Sequence, residues 1–313
     1  MPEPMTILHG SWSNQVFFVW AESAGPAHKP RGRQPALRPH PYAAPESTLR
    51  EALRTAAPLS ASLDLALPTQ RAILLPSHAG SPHVPPWLIP MDDQDEIELR
   101  LVPWRVNGLA LDIQSALDLL VGLPLAEKGH RWCGADLRYW GLAARLGLEF
   151  LAQHRYLPGL DEHEGHYRAT WLPILSDPAD RLRLRMLAEA MPPACRALFA
   201  EKAPPDPASA PAPHTLLDGF LKTLIDQAAR AWGAPHLDSR RKAPAGVAGA
   251  WWDALWSDTG TIDVAASQRR SLIRLYEAWK TWAGQLQRET QAAFRLCFRL
   301  EPPRIDEETG QIA

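Results

Sequence analysis

The sequence predicts an α+β fold: predominantly helical, with a small, mostly antiparallel sheet formed by the N-terminal third and a C-terminal strand at 294–300. Three observations carry this prediction. Two β-like runs, TILH at 6–9 and VFFVW at 16–20, open the chain, and further strand-like runs follow up to residue 111. From 113 to 288 apolar side chains recur mainly at helical spacing. At 294–300 the period returns to two: Phe294, Leu296, Phe298 and Leu300 alternate with Arg295, Cys297 and Arg299. The other strong β signals lie before residue 112, so this last strand is expected to pair there, with the helices inserted between. The pattern divides the chain into a β-rich part at 1–112, a mainly helical part at 113–303 and a loose tail at 304–313, together one composite domain.

Each element has a local reason. GSWSNQ between the first two runs is a plausible turn, so a hairpin is expected. A basic Pro-rich loop follows at 24–42, where five prolines forbid regular structure. Residues 46–57 read as a short helix, 72–75 as a strand, and 97–102 as a half-buried strand. Asn107-Gly108 offers a tight turn. Asp112 caps a helix that Gly122 closes. The helix after Gly134 is apolar around most of its circumference and is read as central to the core. Asp136 is expected to cap it and Pro158-Gly159 to stop it. An acidic loop at 161–166 comes next. Ser176-Asp177-Pro178 starts another helix, with Pro at its first position. Further helices are expected over 215–232, 251–256 and 264–288.

Composition bounds the function. At 313 residues and 46% hydrophobic, the chain suffices for a sizeable core. Its 13 tryptophans sit inside amphipathic patterns, which assigns most of them to packing. A net charge of −2 is not that of a polycation, so nucleic-acid contact needs a local basic patch. Cys133, Cys195 and Cys297 lie far apart, without a CxxC pair, which indicates neither a zinc site nor a disulfide framework. The opening residues lack a basic segment followed by an apolar one, and no apolar run reaches membrane-spanning length. A soluble cytoplasmic protein with no membrane partner is expected.

Catalytic strings are recognisable by the chemistry they serve. A P-loop needs GxxxxGK[ST], because backbone amides cradle phosphates while the Lys and the hydroxyl reach the γ-phosphate and the metal; the sequence has none. GxSxG, HExxH and GxGxxG are likewise missing. No residue is assigned a catalytic role. His163 and His166 could face one cation with a carboxylate as third ligand, but the same residues suit an exposed loop equally well, and no metal is assigned. The candidates for nucleic-acid contact are Lys29, Arg31, Arg33 and Arg38 in the Pro-rich arm, and Arg240, Arg241 and Lys242 in a later polar loop. Arg181, Arg183 and Arg185, and the Arg269-Arg270 pair, are further basic runs. Such runs usually mark solvated faces, and they line a groove only if the fold gathers them.

Several strings carry a resemblance. ILHGSW, FFVWAE, LLPS, GADLRYW, RYLPGL, YRATWLP, LAEAMPPACRAL and FRLCFRLEPP, in this order, resemble the N-terminal accessory region of bacterial SWI/SNF-type helicases, some of which go by the name of DEAD/DEAH-box helicases. These are ATP-driven DNA translocases whose two ATPase lobes lie downstream of the region. The resemblance implies a non-catalytic module that docks to the motor lobes, in cis or in trans, or to DNA. ATP and magnesium are implied for the motor alone, since the family's catalytic residues have no positions here. The competing expectation is a stand-alone interaction or scaffold protein with no DNA role.

Overall fold

The computed structural model describes residues 6–23, 37–56, 66–78, 81–82, 99–123, 133–163, 165–198, 210–233 and 246–290. In chain order the strands are β1 (Thr6–Ser13), β2 (Val16–Ser23), β3 (Leu67–His78), β4 (Ser81–Pro82), β5 (Arg100–Leu111), β6 (Tyr156–His163), β7 (His166–Pro173), β8 (Ala197–Leu198) and β9 (Thr261–Ile262). The helices are α1 (Glu46–Ala56), α2 (Ile113–Gly122), α3 (Ala135–Ala152), α4 (Pro178–Glu189), α5 (Pro213–Gly233), α6 (Val247–Trp256) and α7 (Arg269–Thr290). The chain divides into two compact units, Met1–Gly147 with Ala179–Gln227, and Leu148–Pro178 with Ala228–Ala313.

The first unit is built on a six-stranded antiparallel sheet in the order β1-β2-β5-β3-β4, with β8 also pairing β3. β1 and β2 form the expected hairpin. Its turn residues Asn14 and Gln15 both hold positive φ, 47° and 62°, as a two-residue turn matched to twisted strands requires. β3 and β5 pair along most of their length, from Leu67↔Ala110 to Ser77↔Arg100. Asn107-Gly108 therefore lies inside a continuous strand and is not a turn. The glycine serves a close approach: a Cβ at 108 would stand 2.2 Å from the Val19 carbonyl oxygen on β2.

β2 meets β5 over only three residues, Phe17–Val19 against Leu109–Leu111. Beyond them residues 38–44 enter the gap. His40 N–H donates to the Arg105 carbonyl at 2.9 Å, and Arg105 N–H to that of Arg38 at 2.8 Å. On the other side Ser23 N–H donates to the Tyr42 carbonyl at 3.0 Å, and Ala44 N–H to that of Ala21 at 2.8 Å. The end of the expected Pro-rich loop is thus stitched into the sheet.

Both sheet faces are buried. One carries Phe18, Trp20, Ile73, Leu75, Trp104 and Val106. On the other, Trp12 and Phe17 meet Phe220 of α5, and Trp140 of α3 packs edge-on to Phe17 at 6.2 Å and against Phe220 at 4.8 Å. Trp140 is fully buried. Asp112 caps α2 as expected, accepting from Ser115 N–H at 2.7 Å. Leu142, on the helix read as apolar around most of its circumference, is instead exposed.

The second unit holds a three-stranded antiparallel sheet in the order β6-β7-β9. α3 ends at Ala152, where His154 takes φ +51 and Arg155 N–H returns to the Phe150 carbonyl at 2.8 Å. Pro158-Gly159, expected to stop that helix, lies inside β6, and the acidic run at 161–166 is the end of a hairpin rather than a free loop. Indoles serve as backbone donors here: Trp171 to the Leu255 carbonyl at 3.1 Å, Trp251 to Gly159 at 3.1 Å and Trp279 to Pro158 at 2.9 Å. The buried Arg230 guanidinium donates to the carbonyls of Ala254 (2.7 Å), Ser257 (2.6 Å) and Ala169.

The expectation of a predominantly helical chain with one small sheet is overturned. The described residues form two antiparallel sheets, and about 31% of the interpretable residues are strand. The second sheet is hidden in the sequence because Pro158, Gly159 and the acids after them carry the composition of a turn. The C-terminal strand expected at 294–300 lies outside the described residues. Among those described, no helix is long and apolar enough to cross a membrane.

Candidate functional site

The most concentrated chemistry in the first unit is a buried network of two imidazoles and two carboxylates. Strand alternation sets it up. Ile7, His9 and Ser11 share one face of β1, and the register His9↔Trp20 and Ile7↔Glu22 places His9 opposite Trp20 and diagonal to Glu22. The His9 ring stacks on Trp20 with centroids 4.4 Å apart and planes 19° from parallel. The inserted segment 38–44 brings His40 edge-on to the same indole at 5.3 Å.

The start of α3 completes the network. Gly134 N–H donates to the Leu8 carbonyl at 2.7 Å. Asp136 then accepts from His9 Nδ1 at 2.9 Å and from Gly10 N–H at 2.7 Å. The carboxylate read from sequence as a helix cap is therefore turned onto β1. Only glycine fits two residues earlier, since a Cβ at 134 would lie 2.4 Å from Asp136 Oδ1 and 2.5 Å from His9 Nδ1. Glu22 bridges the imidazoles, with Oε2 3.6 Å from His9 Nε2 and Oε1 3.3 Å from His40 Nε2.

Electrostatics fix the charge states. Burial alone lowers the pKa of His9, but the Asp136 carboxylate, with Glu22 behind it, outweighs burial and raises it to about 10. Burial raises that of Glu22, and His40 and His9 override it, bringing it down to about 2. At neutral pH His9 is an imidazolium between two carboxylates. Tyr42 N–H donates to His40 Nδ1 at 3.3 Å, and His40 Nε2 faces Glu22 Oε1. No group of three or more His, Cys, Asp or Glu able to hold a metal ion occurs among the described residues.

All four side chains are sealed, with relative exposures of 11% for His9, 5% for Glu22, 0% for His40 and 2% for Asp136. What they do is join β1, β2, the 38–44 segment and α3. The described thiols are equally withdrawn: burial pushes Cys133 up to about 11 and Cys195 higher still, so neither is a ready nucleophile.

The residues singled out from sequence fall elsewhere. Lys29, Arg31, Arg33, Arg240, Arg241 and Lys242 lie outside the described residues. Arg38 is exposed, its backbone held by Arg105. His163 and His166 are paired across the end of the β6–β7 hairpin, and the His166 side chain is exposed. His9, Glu22, His40 and Asp136 do not stand out as a group in the sequence. A signal did exist: His9 and Glu22 interrupt otherwise apolar runs, where a polar side chain needs a buried partner. Comparison with protein-family models, curated proteins and solved structures finds no match to the chain.

Proposed function

We propose that this chain is a non-catalytic accessory module of a SWI/SNF-like ATP-dependent DNA translocase, working in the cytoplasm and docking to the motor lobes or to nucleic acid. One observation carries the reading. Three of the eight strings on which the resemblance rests meet at the buried network: ILHGSW supplies His9, FFVWAE supplies Glu22 and the Trp20 ring beneath His9, and GADLRYW supplies Asp136. Residues of those types in an enzyme would face a cleft. Here they are sealed inside the fold and hold strands to a helix, the work of a scaffold that presents its outer surface to a partner. ATP and magnesium belong to the motor, since this sequence carries no phosphate-cradling string.

The test is association. The purified chain is mixed with separately expressed ATPase lobes of a SWI/SNF-type helicase and run on a sizing column, with and without duplex DNA. Co-elution in a defined stoichiometry is the expected result. Independent elution under both conditions would return the chain to a stand-alone interaction or scaffold protein.

A further inference from the structure

We propose that the N-terminal half of α7 is a contact surface for the phosphate backbone of duplex DNA. The inference rests on the accessory-module reading for the choice of DNA among polyanions. Between Arg269 and Gly284 the helix carries Arg269, Arg270, Arg274 and Lys280 against a single carboxylate, Glu277, in a chain whose net charge is −2. Lys280 is engaged by that carboxylate at 3.1 Å. The three arginines are exposed, and among the described residues none is paired with a carboxylate.

Their placement runs against helix stability. Arg269 and Arg270 stand in the first turn, where the positive end of the helix dipole disfavours cations and where the turn itself carries no acidic residue. An anion bound across them relieves that repulsion. Arg270 and Arg274 are four residues apart and share a face. Arg269 adjoins them, and its guanidinium lies next to the hairpin tip, 3.9 Å from where a Cβ on Gly165 would stand. The three span about 7.5 Å of helix axis, a length over which duplex DNA presents one charge per ~1.7 Å. The opposite side of α7 is anchored by the buried Leu272 and by the Trp279 indole on the Pro158 carbonyl, so the arginines project from a fixed support. A protein partner is less well matched. Ile273, 38% exposed, is the one exposed large hydrophobic side chain among the arginines, and Trp282, 48% exposed, lies about two turns beyond Arg274.

The experiment measures binding of the full chain to a fluorescein-labelled 20-base-pair duplex as a function of salt. It compares wild type with the triple variant R269A/R270A/R274A, and with R181A/R185A, which removes two exposed arginines from α4. Circular dichroism establishes that each variant is folded. The expected result is wild-type binding whose log–log salt slope falls by about 2–3 in the α7 variant, with at least a tenfold loss of affinity at 50 mM salt and little change in the α4 variant. No wild-type binding at 50 mM salt, an unchanged slope in the α7 variant, or equal losses in both variants would overturn the proposal. Binding to phosphatidylserine vesicles in preference to DNA would overturn it too. Because no motor is present, failure here leaves the co-elution result standing, and failure of co-elution leaves this one standing.

Discussion

Glu22 ends a strand face whose other members, Val16, Phe18 and Trp20, are apolar. A carboxylate is retained there because His9 and His40 meet it on either side. The linkage has a definite sign. His9 is raised from 6.5 to about 10, so its contribution to stability is complete below pH 6.5 and is lost as pH rises through about 10. Glu22 is lowered from 4.5 to about 2, so its contribution is complete above pH 4.5 and is lost as pH falls through about 2. Urea denaturation across pH should therefore show greatest stability between roughly 4.5 and 6.5, with an alkaline limb that His9→Ala flattens. The same substitution should cost about 3–5 kcal/mol near pH 6, because it leaves the buried Asp136 carboxylate without its cation and removes one of the two imidazoles at Glu22. An alkaline limb identical in wild type and His9→Ala would show that His9 is not the group responsible.

At the scale of elements, the readable parts are those with strong local chemistry. The β1–β2 hairpin, the Asp112 cap and the Pro178 helix start follow from turn, cap and proline rules, and the observed elements begin where those rules place them. Residues whose role is set by a distant neighbour are misread. Asp136 reads as a helix cap but stands inside the first turn and is claimed by His9, 127 residues earlier in the chain. Gly108 looks like a turn because its need for space comes from β2 rather than from its own strand. His40 looks like part of a solvated loop because nothing local shows that β2 and β5 part company there. The network is therefore half legible: its strand members can be flagged as buried polar residues, whereas the partners that satisfy them need the fold. Arg230 is another such case, one guanidinium gathering carbonyls from α6, from the turn after it and from β7. Arg230→Met should keep the packing volume but strand those acceptors, destabilising the second unit by at least about 2 kcal/mol. Amide exchange in residues 254–262 and 166–173 should then accelerate, and unchanged exchange there would mean that the guanidinium is not what holds the turn.

For the whole molecule, we propose a partner-directed module that leaves phosphoryl chemistry to the motor. Its sequence has no string to cradle a nucleotide, and the His9–Glu22 pair is enclosed. The most direct measurement is DNA-stimulated ATP turnover by SWI/SNF-type motor lobes, titrated with the purified chain and run beside the chain alone. The account predicts no turnover by the chain alone, and a several-fold, saturable change in the motor's DNA-stimulated rate as the chain is added. ATP turnover by the chain alone that is abolished by a substitution within residues 1–313, or a motor rate unaffected at saturating chain, would contradict it.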